Sequence, residues 1–189
     1  MHDAVARECL AARENIGILD ASTLGKIEVW GADAAAFLNL VYVNNWHNLE
    51  VGRCRYGLML GEDGMVMDDG VTARIADDRF LMTTTTGGAA QVNNWLEEWL
   101  QTEWPEMKVY LTSVTEQWAT INLVGPNARK LLSEFTDDID LDARAFPFMS
   151  WRPGTVAGVP ARVFRVSFTG DLSFEINVPA HYAVSMWEA

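Results

Sequence analysis

Apolar and polar residues alternate over several short stretches of this chain and recur every three or four positions over a few longer ones. Alternation over 24–31, 55–60, 65–75 and 79–85 predicts strands. The last three read as a meander whose turns, Gly61-Glu62-Asp63-Gly64 and Asp77-Asp78, are built from turn formers. Residues 88–103 change to helical spacing, with Val92, Trp95, Leu96, Trp99 and Leu100 on one face, and Pro105 ends that helix. An Ala-rich helix is predicted over 3–14, followed by a short apolar run at 16–20. Beyond Pro105 the pattern predicts strands at 108–114 and 117–124, a helix at 126–134, and an acidic loop through Asp137, Asp138, Asp140 and Asp142. Strands near 147–157, 160–167 and 173–178 follow, and a last helix opens near 180. Strands in runs, punctuated by single helices, imply an α+β fold with mixed or antiparallel sheets and flanking helices, not a doubly wound sheet.

A repeat organises these elements. Residues 27–38, IEVWGADAAAFL, and 121–132, INLVGPNARKLL, each give an alternating strand, a Gly, an Asp or Asn, an Ala and a closing apolar pair. The two copies lie 94 residues apart, about half the chain. Each reads as a strand that turns at Gly into a helix, with Asp33 and Asn127 placed to cap the first turn. Two such units imply a duplicated pair of subdomains, 1–105 and 106–189, the second cut short in its last helix. The expectation is a piece of a longer protein.

Composition narrows the function classes. The 189 residues are 49% hydrophobic and 21% charged, with 26 acidic and 14 basic side chains and a net charge of −12. Such a chain repels a phosphate backbone, and its basic residues are scattered apart from Arg53 and Arg55, so no nucleic-acid partner is expected. No apolar stretch reaches the length of a membrane span and no leader pattern is present, which points to the cytoplasm and away from a membrane. Cys9 and Cys54 form no CxxC pair and read as reduced thiols. His2, His47 and His181 lie far apart, so no metal site is expected.

Three clusters could carry chemistry. Asp68-Asp69 sit in the otherwise apolar strand Met65–Gly70, where adjacent side chains diverge and at most one faces a given pocket. The plain alternative is a surface carboxylate beside a bulge at Gly70. Thr83–Ala90 (TTTTGGAA) joins a strand to a helix. It lacks the lysine and spacing of a phosphate loop, so a strand end and helix cap is the simpler assignment. Ser167–Glu175 makes a Thr-Gly-Asp turn into a strand on which Glu175 points away from Phe174 and Ile176. A strand glutamate is commonly solvated. One lining a pocket would accept two parallel N–H bonds, as from an aminopyrimidine edge.

At these clusters the sequence resembles the folate-binding T-protein (aminomethyltransferase) superfamily. The resemblance rests on Asp20, Gly25-Lys26-Ile27-Glu28-Val29, Gly31-Ala32-Asp33-Ala34 and Phe37-Leu38. It continues through Gly52, Tyr56, Leu58, Leu60 and Gly64 to Asp68-Asp69, and ends on Arg165–Ile176 (RVSFTGDLSFEI). Within the superfamily the chain is most similar to the α subunits of heterotetrameric sarcosine oxidases. Arg55–Leu60, Met67–Gly70 and Thr112–Trp118 follow their pattern, and Thr85-Thr86 and Phe168 stand where free transferases carry Asn-Ala and Tyr.

That resemblance implies two related α+β subdomains with a tetrahydrofolate channel between them. It implies that Asp69, the second of its pair, lies beside the reacting folate nitrogen in a catalytic role. Glu175 would bind the pteridine's amino–amide edge, Tyr56 would contact folate, and Arg165 would be structural or ligand-binding. The implied activity is one-carbon transfer, in which the imine from sarcosine oxidation meets tetrahydrofolate to give 5,10-methylenetetrahydrofolate and glycine. FAD, FMN, NAD and the other oxidase subunits would belong to the complete enzyme, outside this region. The alternatives are a stand-alone aminomethyltransferase and a non-catalytic folate-binding scaffold of the kind linked to iron–sulfur maintenance. The scaffold proteins carry a cysteine near the turn at Thr169, and here no cysteine follows Cys54.

Overall fold

A computed structural model describes residues 2–189. In chain order the elements are α1 (His2–Glu14), β1 (Gly17–Asp20), β2 (Gly25–Trp30), α2 (Ala34–Val41), β3 (Cys54–Leu60), β4 (Val66–Ala76), β5 (Arg79–Thr84) and α3 (Ala89–Thr102). There follow β6 (Tyr110–Ser113), β7 (Trp118–Val124), α4 (Ala128–Leu132), β8 (Ser150–Val156), β9 (Val159–Arg165), β10 (Ser173–Pro179) and α5 (Ala183–Glu188). The predicted elements are therefore present, with ends displaced by a few residues. The fold is α+β with two antiparallel sheets and flanking helices.

The chain forms two compact units: Thr23–Glu116, and Met1–Ser22 together with Gln117–Ala189. This division differs from sequential halves at 1–105 and 106–189, and strand pairing gives the reason. β1 pairs with β7, tying the first residues of the chain to its second half. β6 pairs with β2, so residues beyond 105 complete the first sheet.

In the unit Thr23–Glu116 the strand order is β3-β4-β5-β2-β6; in the other it is β8-β9-β10-β7-β1. The same 94-residue step relates them, because Ile27 pairs with Met82 in one and Ile121 with Ile176 in the other. One sheet packs Ile27, Val29, Phe80 and Met82 against Phe37 and Leu38 of α2 and Val92 and Leu96 of α3. The other packs Ile121, Leu123, Val163, Phe174 and Ile176 against Ala128 and Leu132 of α4. Burial of such side chains contributes roughly 1.5–3 kcal/mol each.

The strand–Gly–helix turns match in detail. Gly31 and Gly125 have φ of 131° and 123°, which side-chain-bearing residues rarely adopt. The amides of Asp33 and Asn127 donate to the carbonyls of Lys108 (3.3 Å) and Asn15 (3.2 Å), each in the segment leading into an edge strand. The side chains of Asp33 and Asn127 do not cap their helices, although both occupy the N-cap position. Instead Asp33 Oδ2 accepts from the Lys108 amide (2.8 Å), and Asn127 Nδ2 donates to Asn15 Oδ1 (3.0 Å). Both residues have φ near −100° and ψ near 0° (−102° and 10°, −94° and 1°), outside the extended range typical of a capping residue. Cys9 is exposed, Cys54 is buried and neither is in a disulfide. No described helix is long and apolar enough to cross a membrane.

Candidate functional site

Asp68 and Asp69 separate onto opposite faces of β4. Asp68 lies opposite Met59, on the helix-covered face, and is buried. Its carboxylate accepts from the Thr85 hydroxyl (2.6 Å) and the Thr85 amide (3.2 Å), where β5 turns toward α3. The Thr85 hydroxyl in turn accepts from the Gly88 amide (3.1 Å). Thr86 meets Thr23 hydroxyl to hydroxyl (3.1 Å), and Thr83 Oγ1 bridges the Val71 amide and carbonyl at 3.0 Å each. The Thr83–Ala90 run is thus a strand end and helix entrance held by its own side chains. Gly70 is in register with Gly57, and the irregularity in this ladder falls at Met59/Leu60, so no bulge sits at Gly70. A Cβ at Gly70 would lie 2.0 Å from the Thr83 carbonyl oxygen, so this site requires glycine for space.

Asp69 points the other way and meets Tyr56. The register sets Leu58 opposite Asp69 and Tyr56 opposite Val71, so Tyr56 and Asp69 are diagonal neighbours on one face. The Tyr56 hydroxyl donates to Asp69 Oδ2 at 2.7 Å, the short distance of a charge-assisted bond. Tyr56 remains 50% exposed. Its hydrogen bond to Asp69 raises the phenol pKa, with smaller contributions from burial and from the Asp69 charge. The phenol therefore stays protonated through neutral pH and keeps donating. On the same face Glu28 is buried and accepts from Arg79 Nε (3.1 Å).

Glu175 lies in the other unit, on β10. Its register partners are Asn122 on β7 and Phe164 on β9, and it points away from Phe174 and Ile176, whose side chains fill the core. Asn122, Thr120, Ser173 and Asn177 share that face and are all buried. The Ser173 hydroxyl donates to Asn122 Oδ1, and Thr120 Oγ1 donates to Asn177 Oδ1 at 2.7 Å. The Trp151 and Phe164 rings stack next to them, 6.1 Å apart at 28°. Three residues of this face, Asn122, Thr120 and Asn177, escaped the sequence analysis. The available signal was a polar residue recurring between apolar ones in Ala119–Leu123 and Ile176–Val178.

Arg165 is not on the Glu175 face. It follows Phe164 by one residue and so points to the opposite, helix-covered side. Its guanidinium lies 5.4 Å from the Phe174 and Phe148 rings, and Nη1 donates to the Ser173 carbonyl (3.2 Å). Burial, then the nearby Arg129, lower its pKa. The structure thus brings Tyr56 and Asp69 together and sets Arg165 behind the strand that carries Glu175. Among the described residues no group of three His, Cys, Asp or Glu side chains is placed to hold a metal ion.

A duplicated α+β chain with a tyrosine-bound aspartate on one sheet and a glutamate on a buried polar face of the other belongs to a known class. The chain belongs to the GCVT N-terminal domain family, whose model matches residues 1–189. It is 55% identical over its whole length to the sarcosine oxidase subunit alpha of Corynebacterium sp. (strain U-96) and spans 20% of that relative. Its fold is similar to that of glycine cleavage system aminomethyltransferase T from Bartonella henselae. There the TM-score is 0.82 at 24% identity, over 97% of this chain and 47% of that one. It is also similar to a chain of heterotetrameric sarcosine oxidase from Corynebacterium sp. U-96 in complex with pyrrole 2-carboxylate. That match has a TM-score of 0.68 at 18% identity, over 99% of this chain and 88% of that one.

Proposed function

We propose that this chain is the folate-binding, one-carbon-transfer region of a sarcosine oxidase α subunit. The reaction joins the imine carbon of oxidised sarcosine to tetrahydrofolate, giving 5,10-methylenetetrahydrofolate and glycine. The observation that carries this reading is the Tyr56–Asp69 pair: a carboxylate fixed by one short bond, on a residue pair that stays open to solvent. Tyr56 engages Oδ2 and leaves Oδ1 for a ligand. Asp69 then orients an attacking N–H group, offsets iminium charge and accepts the proton released as the new bond forms. Glu175 accepts the paired N–H groups of the pterin. Arg165 acts as a positioning residue by bracing the Ser173 carbonyl and the Phe174 ring beneath it. FAD, FMN and NAD, the other subunits and a cytoplasmic location belong to the same reading of the complete enzyme.

Two variants of the full-length enzyme test it. Asp69→Ala is expected to lower folate-coupled product formation about a hundredfold or more, as for loss of a general base, while flavin reduction by sarcosine stays near wild type. Equal loss of both activities would make Asp69 structural. Glu175→Gln replaces an acceptor with a donor and should weaken tetrahydrofolate binding roughly tenfold to a hundredfold, the scale of one charge-assisted hydrogen bond. Unchanged affinity in calorimetry would remove Glu175 from the site.

A further inference from the structure

Asn122 stands directly across the β7–β10 ladder from Glu175, so the two side chains are nearest neighbours on one sheet face. Asn122 is 2% exposed, and its orientation is set by a buried partner: the Ser173 hydroxyl, itself fully buried, donates to Oδ1. With its oxygen engaged, the carboxamide presents Nδ2–H2 as a donor beside the Glu175 acceptor. On the β9 side Phe164 stands directly across from Glu175 and stacks on Trp151, and Arg162 is its diagonal neighbour on the same face. The neighbouring Thr120–Asn177 bond holds the rest of the row. A fixed acceptor–donor pair reads a ligand edge of complementary order, with donors for the carboxylate and an acceptor for the amide.

Resting on the folate reading above, we infer that Asn122 is a specificity-determining residue: its Nδ2 donates to the oxygen at ring position 4 of the pterin whose 2-amino and N3–H groups Glu175 accepts. The site then distinguishes 4-oxo pterins from 4-amino pterins. A 4-amino group faces Nδ2 donor to donor and leaves a buried N–H without an acceptor, the kind of mismatch that polar sites reject strongly.

The test compares tetrahydrofolate with tetrahydroaminopterin, which carries an amino group at position 4 and lacks the N3 hydrogen. Both are titrated anaerobically against the full-length protein by calorimetry. Wild type should prefer tetrahydrofolate. Asn122→Leu keeps the side-chain shape and removes the donor. It should weaken tetrahydrofolate about tenfold while tetrahydroaminopterin binds as well as before or more tightly, so the preference ratio falls at least tenfold. Ser173→Ala frees the carboxamide to turn and should lower the ratio by a smaller factor; it carries the test should Asn122→Leu melt before assay. Equal weakening of both ligands, or an unchanged ratio in both variants, overturns the role of Asn122 and leaves the folate reading standing. Failure of wild type to bind either compound overturns the folate reading and this inference with it.

Discussion

Asp68 and Asp69 share a peptide bond but not an environment, and their substitutions should separate stability from chemistry. Asp68→Ala removes a buried carboxylate and with it the acceptor for the hydroxyl and amide of the exposed Thr85, which should cost about 1–2 kcal/mol of stability. Asp69→Ala removes one bond to a half-exposed tyrosine and should shift the melting temperature little. Chemical denaturation of the two variants checks this, and the reverse ranking would exchange their roles. The divergence of the pair was legible in the sequence because a strand alternates with period two. The relation of Arg165 to Glu175 was not. Their faces depend on the register between β9 and β10, which the irregular loop 166–172 sets and no local pattern encodes. Asn122 was half legible: an amide inside Thr120-Ile121-Asn122-Leu123 is conspicuous, but its neighbour Glu175 lies 53 residues on.

At the scale of the element, the strand–Gly–helix turn is the recurring piece, and its glycine has two reasons to be there. A Cβ on Gly31 would lie 2.1 Å from the Lys108 carbonyl oxygen, and one on Gly125 2.4 Å from that of Asn15, in addition to the positive φ at each. Gly31→Ala and Gly125→Ala should each cost about 3 kcal/mol, backbone strain and displaced carbonyl together. Gly64→Ala, with φ of 77° and nothing within 4 Å of the added methyl, should cost about 1 kcal/mol, and urea titrations would rank the three. The glycines were readable from the repeat. Their contacts were not, because Lys108 and Asn15 reach them from distant sequence. A second element-scale link is Asp138, whose Oδ1 accepts from the Thr155 amide (2.8 Å) and the Thr136 hydroxyl (3.1 Å), tying the acidic loop to β8. The Thr155 amide is the main reason its pKa falls below 3.8. A depressed carboxylate pKa stabilises the fold above the unfolded-state value, and that contribution is lost as pH falls through the folded-state value. Stability should therefore drop on acidification below about pH 4, and Asp138→Asn should flatten that part of the pH–stability profile. An unchanged slope would mean the loop is held by other contacts.

Across the whole molecule, the two sheets share one strand order but recruit their edge strand from different places in the chain. In the unit Thr23–Glu116 the edge strand β6 follows α3, whereas in the other unit the equivalent edge, β1, arrives ahead of everything else it pairs with. The unit Thr23–Glu116 is therefore one uninterrupted segment, and its length equals the 94-residue period of the repeat. The period was legible in the sequence; the position of the cut was not, since β1 is four residues long and its partner lies about a hundred residues away. The consequence for folding is specific. A fragment of residues 23–116 contains a full sheet, both of its helices and Val109 and Leu111 at the β6 edge of the core, and at this size a domain buries enough apolar surface to fold alone. A fragment of residues 1–105 lacks β6, exposes the free edge of β2, and carries α1 and β1 without β7 to pair with. The 23–116 fragment should show a single cooperative thermal transition and dispersed amide resonances, while 1–105 should be less stable by several kcal/mol or aggregate. A cooperative 1–105 alongside an unfolded 23–116 would mean that the sequential halves, not the strand pairings, are the folding units.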